Sequence, residues 1–381
     1  MADEVGAPRG GTAVAALLTC AMAFSMMQLF LLGALGPRLV GESGLSRTEL
    51  GLTTTAGFGA AALLSPVAGR LVDRVGPRRC TVALLVLAAA ALALIGAAPG
   101  PAVLLAAVTL GGLPQALANP ATNKLILAVF PPQRRGAVTG WKQSGVQLGA
   151  FAAGLPLSLL AAGVGWRGAV WAARVLPADG PPAGAGAPVA AVPRTVGRLA
   201  LFSLFLGCGV ASVNTYLALF GTQRLGLSAT LAAVPVAVLG LAGIAGRVGW
   251  SRTADRDGRA EALPALLALG AVGAALLLAA AVRLYPLVWP GAVAVGVFAV
   301  AANAVSMVLV IRSSPPGRAG RASALVSAGF FAGFAVGPPL FAQAVAAAGY
   351  GPGWLLVAAE FAAASAVTAA PALRRAKAVA A

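Results

Sequence analysis

The chain of 381 residues contains no histidine. That absence removes imidazole as a general base, a haem ligand or a proton relay. Acidic residues are scarce too, with ten Asp and Glu against 27 Lys and Arg. The three cysteines, Cys20, Cys80 and Cys208, are odd in number and widely spaced. They offer neither a disulfide framework nor a zinc site. No G-x-x-x-x-G-K-S/T loop occurs, which excludes an ATP-driven pump within this chain. Charged residues of both signs make up only 10%, where a soluble chain carries about 25%.

Apolar residues fill the space instead, at 59% with a mean hydropathy of +0.90. Runs near the about 20 residues needed to cross a bilayer recur at about 12–36, 48–70, 80–98, 102–127, 138–163, 196–219, 229–249, 261–282, 287–311, 322–346 and 354–373, eleven in all. They are continuous and not alternating, which points to helices and away from a β-barrel. The first run exceeds a signal-peptide core of about 7–15 residues and reads as a spanning helix. The net charge of +17 invites a nucleic-acid partner, but the charges fall in short clusters between apolar runs. With the N-terminus inside, eighteen Lys and Arg lie on the cytoplasmic side and five on the other, Arg38, Arg47, Arg167, Arg224 and Arg283. That bias fixes the orientation. Arg outnumbers Lys 24 to 3, and Ala and Gly abound, as in GC-rich bacterial genomes. The expectation is a multi-pass protein of a bacterial inner membrane with both termini cytoplasmic.

An internal repeat runs through the chain. Gly44-Leu45-Ser46-x-Thr48 returns 182 residues later as Gly226-Leu227-Ser228-x-Thr230. At the same offset Arg70, Asp73, Arg74 and Gly76 return as Arg252, Asp255, Arg256 and Gly258. At an offset of 184, Asn119, Gly136, Gly145 and Gly149 return as Asn303, Gly320, Gly329 and Gly333. Two copies in one orientation need an even number of crossings each. The second half shows six spans and the first five. Residues 168–192 fill the place of the sixth span, yet they contain Arg174, Asp179 and four prolines. Three readings remain open: a shortened helix followed by a linker, a damaged gene product, or an inverted second half. The expected division is an N-terminal bundle over 1–167, a degenerate segment over 168–195 and a C-terminal bundle over 196–381.

The turn at 69–79 reads GRLVDRVGPRR. It resembles the loop between helices 2 and 3 of the major facilitator superfamily, roughly G-x-L-x-D-R-x-G-R/K-R/K. Gly69, Leu71, Asp73, Arg74, Gly76 and Arg78 match, Pro77 departs, and Arg79 follows as an extra charge. The resemblance implies an all-α polytopic fold of two parallel-repeat bundles, six plus six helices with the sixth truncated or missing. It also implies that Asp73 latches onto the start of helix 11, where a helix N-terminus carries partial positive charge. Gly69, Asp73, Arg74, Gly76, Arg78, Arg79 and, in the weaker second copy, Asp255 and Arg256 are the expected latch residues. A purely topogenic turn is the alternative. NPATNKLI (119–126), PPQRRG (131–136), GWKQSG (140–145) and GWRG (165–168) are similar to the cyanate-transporter-like bacterial branch.

Ions inside spans mark candidate binding residues, because a charge at the centre costs roughly 2.5–3.5 kcal/mol on insertion scales. Lys142 either faces a central cavity or snorkels to the boundary. Arg247 either forks onto a carboxylate or makes a structural pair. Lys124 reads as interfacial. The polar candidates are Gln28, Asn119, Asn123, Gln143, Asn214, Tyr216 and Asn303, with Gln115 and Gln147 beside them. Glu360 reads as lying near the outer end of the last span, so no embedded carboxylate is expected. The resulting expectation is a secondary transporter for a small anionic or polar metabolite, working by alternating access and without enzymatic chemistry or cofactor. It would be a monomer with the lipid bilayer and a small-molecule substrate as partners, and no nucleic acid. An exporter of drugs or secondary metabolites, or a non-transporting receptor on the same fold, are the other readings.

The crossing at 168–192 is directly testable. With Arg198→Cys in a cysteine-free background, a membrane-impermeant maleimide is expected to label only from the cytoplasmic side. Labelling from outside would invert the second half.

Overall fold

A computed structural model describes residues 11–27, 47–154, 194–256, 260–314 and 319–380. No strand occurs among them. The first half contributes α1 (Gly11–Met27), α2 (Arg47–Val75), α3 (Pro77–Ala97), α4 (Pro101–Leu110), α5 (Gly112–Val129) and α6 (Pro132–Gly154). The second contributes α7 (Arg194–Gln223), α8 (Ala229–Arg256), α9 (Leu263–Ala281), α10 (Val288–Ala294), α11 (Ala301–Ser313), α12 (Ala319–Ala348) and α13 (Tyr350–Ala380). A π segment, Val295–Val300, joins α10 to α11. Among the described residues, nine stretches are long and apolar enough to cross a membrane, with α4–α5 and α10–α11 each counting as one. The described part of α1 is shorter, and α6 carries Arg134, Arg135 and Lys142 among its 23 residues. The degenerate segment at 168–193 lies outside the described residues.

Local chemistry sets the helix starts. Gly76 has φ 98°, a conformation that disfavours any residue with a Cβ. Pro77 follows at the first position of α3, where its missing N–H would have had no partner. The one departure from the loop pattern is thus a helix start. Pro120, Pro338 and Pro339 lie inside α5 and α12.

Two bundles form, α1–α6 and α7–α13. Lipid gives helices little hydrophobic reason to associate, so small residues must permit close packing. The repeat places them in step. On α6, Gly145 and Gly149 press against Thr19 and Ala23 of α1. On α12, Gly329 and Gly333 press against Ala200 and Leu204 of α7. The first pair of glycines is 184 positions from the second, and the contacted residues are 181 apart. The recurring glycines therefore make one seam twice.

Between the bundles, α2 lies along α12 and α6 along α8. A Cβ on Gly69 of α2 would fall 2.5 Å from Ala324 Cβ and 2.9 Å from Arg321 Cα on α12. The second crossing pairs Ser251 of α8 with Gly140 of α6, where a Cβ would fall 3.1 Å from Ser251 Cβ. Ser251 is the repeat partner of Gly69, and Gly140 that of Ala324. The small residue has moved to the opposite helix, which explains how the second copy tolerates serine in place of glycine.

Gly145→Ala and Gly329→Ala should each cost about 1–3 kcal/mol through overpacking. Gly273→Ala, whose new Cβ would meet nothing within 4 Å, should be neutral or stabilising. Thermal denaturation in detergent reads the contrast, and equal melting temperatures for all three would refute the seam.

Candidate functional site

Polar contacts between the bundles are layered inward from the end that carries the basic turns. The outermost layer holds Asp73. The first N–H groups of a helix have no intrahelical acceptor, and α12 begins at Ala319. Asp73 Oδ2 accepts the N–H of Arg321 at 3.0 Å. Its Oδ1 pairs with Lys124 Nζ at 3.2 Å. The same ammonium donates to the carbonyls of Val72 and Asp73, each at 3.3 Å, and so caps the last turn of α2. Lys124 is therefore not merely interfacial. Gly320 leaves room for the carboxylate, since a Cβ there would fall 2.6 Å from Asp73 Oδ1. Gly69 and Gly76 serve the approach and the turn already described. Arg74 and Arg79 are exposed and Arg78 half-buried.

The second half repeats one part of this arrangement. Arg312, at the end of α11, donates through Nη1 to the carbonyl of Ala254. Ala254 stands 182 positions after Val72. Each half thus caps its second helix with a cation from its fourth. The side chains of Asp255 and Arg256 lie outside the described residues.

The middle layer is a ladder. Asn119 and Asn123 sit one turn apart on α5, and Ser323 and Ser327 one turn apart on α12. Asn123 Nδ2 donates to Ser323 Oγ at 2.8 Å and Asn119 Nδ2 to Ser327 Oγ at 2.9 Å. Asn123 Nδ2 also lies 3.6 Å from Met307 Sδ. Those two residues are themselves 184 apart, so the pair sits where the two copies face each other. Lys142 lies behind the ladder with 0% exposure. Its Nζ donates to Asn119 Oδ1 at 3.0 Å and Asn123 Oδ1 at 2.6 Å. It does not snorkel.

The innermost layer is a cavity. Met22, Met26, Asn119, Gln143, Gln147, Asn214, Arg247, Asn303, Phe330, Phe331 and Phe334 are among the residues that line it. Its empty space is about 510 Å³, counting the part that is open to solvent. Arg247 is buried. Its Nε donates to the carbonyl of Val300 at 3.2 Å, at the end of the π segment, and its Nη1 to the carbonyl of Gln143 across the bundles. A guanidinium has five N–H donors, so three remain for a ligand. No carboxylate among the described residues pairs with Lys142 or Arg247.

The structure brings together Asn119, Gln143, Asn214, Arg247 and Asn303 around one space, with Asn123 and Lys142 directly behind it. Tyr216 is elsewhere, stacked on Phe341 at 4.9 Å beside Trp354 and Tyr350. Gln28 lies outside the described residues. Gln115 is fully buried, and neither side-chain polar atom has a partner. The reading of Glu360 needs correction. α13 starts at Tyr350, so Glu360 lies ten residues in, about 15 Å at 1.5 Å per residue. It is buried, and its Oε2 has no partner. The serines of α12 and the methionines of α1 were missed. Only the S-x-x-x-S spacing, matching N-x-x-x-N, signalled the serines.

A family model described as the Major Facilitator Superfamily matches residues 17–338, and matches again over 199–379. No curated protein matches the chain in sequence. Among solved structures, the human organic anion transporter MFSD10 (TETRAN) is similar, with TM-score 0.75 and 17% identity over 95% of this chain and 100% of that one. The proton:xylose symporter XylE, bound to 6-bromo-6-deoxy-D-glucose, aligns with TM-score 0.75 and 15% identity over 93% and 94%. FucP in its outward conformation aligns with TM-score 0.70 and 17% identity over 93% and 97%. At these identities the likeness concerns the fold.

Removing the outer contact should loosen the ladder. In a Ser323→Cys background, a water-soluble maleimide is expected to label position 323 several-fold faster once Asp73→Ala is added. An unchanged rate would mean that Asp73 does not hold this end shut.

Proposed function

From the premise that the chain belongs to the major facilitator superfamily, we propose that it is a secondary transporter moving a small organic anion across a bacterial inner membrane by alternating access. The observation that carries this reading is the pair of buried cations without carboxylate partners at the junction of the bundles. Burying a charge without compensation is costly, and Lys142 and Arg247 come from opposite halves. An anion entering the cavity would supply the missing charge and draw the two halves together. The Arg247 guanidinium is suited to a carboxylate or phosphate, which it can bind with two parallel hydrogen bonds.

The layers give the cycle its order. Asp73 and Lys124, then the Asn–Ser ladder, close the basic end, which the charge bias assigns to the cytoplasm. The cavity lies beyond them, so this is the state that would receive substrate from outside. Release inward requires Asp73 to leave the α12 terminus and the ladder to separate. Rocking of parallel repeats about a midplane site is the motion that does both. Asp73, Lys124, Gly69 and Gly320 act as the latch in this scheme, with Arg74, Arg78 and Arg79 holding the turn at the anionic membrane surface. No bond is made or broken in the substrate.

A thermal-shift screen of the purified protein against monocarboxylates, dicarboxylates, inorganic phosphate, neutral sugars and organic cations, followed by uptake into proteoliposomes, tests the class. Organic anions should stabilise the protein, and Arg247→Ala should reduce their uptake roughly 10- to 100-fold, as loss of hydrogen bonds to a charged group does. Stabilisation by cations or sugars alone, or full uptake in both Lys142→Ala and Arg247→Ala, would overturn the proposal.

A further inference from the structure

The cavity wall has a fixed polarity that originates at a residue outside the cavity. Lys142 is not among the lining residues. An ammonium has three donors and no acceptor, so every amide it touches must present oxygen. Asn119 and Asn123 both do. Their NH2 groups are then forced the other way, onto Ser327 and Ser323. Asn119 Oδ1 has a second lone pair, and Gln143 Nε2 donates to it at 3.2 Å. That occupies the donor end of Gln143 and leaves its Oε1 buried with no partner. Asn303, also on the wall, has a buried Oδ1 with no partner. Asn303 is the repeat counterpart of Asn119, but the counterpart of Lys142 is Val326. The second half has no ammonium to claim that oxygen.

Two buried acceptors without partners therefore belong to residues that line the cavity beside the Arg247 guanidinium. A buried acceptor left unpaired is unfavourable, and a site built around one discriminates against ligands that cannot fill it. Resting on the reading that an anion binds beside Arg247, we infer that the substrate is an organic acid with a hydroxyl or amino donor close to its acidic group and an apolar body. The acid meets Arg247 and the donor meets Gln143 Oε1. The body lies against Phe330, Phe331 and Phe334. A plain carboxylate or inorganic anion leaves both acceptors bare. A neutral polyol leaves the guanidinium without its anion. Lys142 touches no ligand in this arrangement. It is a positioning residue that sets the direction of the Gln143 amide.

Three probes separate these possibilities by calorimetric titration of the purified full-length protein: 3-phenyllactate, 3-phenylpropionate, which lacks the hydroxyl, and 3-phenylpropane-1,2-diol, which lacks the acid. Phenyllactate should bind at least about tenfold more tightly than phenylpropionate. The ratio should fall towards one in Gln143→Met, and should fall in Lys142→Met while phenylpropionate still binds. A merely structural role for Lys142 would weaken both acids alike. Equal affinity of the two acids in the unmodified protein, with both weakened by Arg247→Gln, overturns this inference and leaves the anion reading in place. Tighter binding of the diol than of either acid overturns both. Binding of none of the three overturns the inference as stated.

Discussion

An ammonium sealed inside a helical membrane bundle must have oxygen around it. Lys142 meets that requirement with two asparagine carbonyls, and much of the centre is arranged as a result. The asparagines turn their amino groups to the serines of the opposite bundle, which ties α5 to α12. One of them also receives Gln143, which fixes the wall of the cavity. Replacing the whole network with apolar residues would be cheaper, as with many buried ionic groups. Its retention fits the separation and re-forming that the proposed cycle asks of this site. A purely apolar seam would offer no defined register to return to.

The basic end works by a different principle. Asp73 accepts from a helix terminus and from Lys124, and Lys124 in turn caps α2. These contacts join three helices from two bundles through small groups that water can replace. Such contacts near the surface are individually weak, which suits the latch role proposed for Asp73. The buried ladder beneath is better shielded from water. Closure therefore grades from water-exchangeable at the rim to shielded inside.

Much of this was legible in the sequence because it repeats or because it violates hydropathy. Gly145, Gly149, Gly329 and Gly333 stood out by their common offset, and they make equivalent seams. Asn119, Gln143, Arg247 and Asn303 stood out as polar residues in apolar runs, and they share one cavity. Contacts across the fold that no motif or repeat names were not legible. Ser323 and Ser327 look like ordinary small residues of a membrane helix. Lys124 lies 51 residues from Asp73, and only the fold brings them together. Glu360 was misplaced because its helix starts earlier than hydropathy marks: Gly351, Pro352 and Gly353 dilute the apolar signal of the first turn. Tyr216 was polar in sequence but is used as an aromatic, in a cluster with Phe341 and Trp354.

At the two long crossings between bundles, glycine faces alanine in one and serine faces glycine in the other. What the architecture specifies there is the combined bulk of two side chains, with the division between them left free. Each duplicated copy can consequently drift in sequence while its neighbour absorbs the change. A motif read along one helix can fade although the crossing it serves is intact, and the faded loop of the second half belongs to a crossing that is still closely packed.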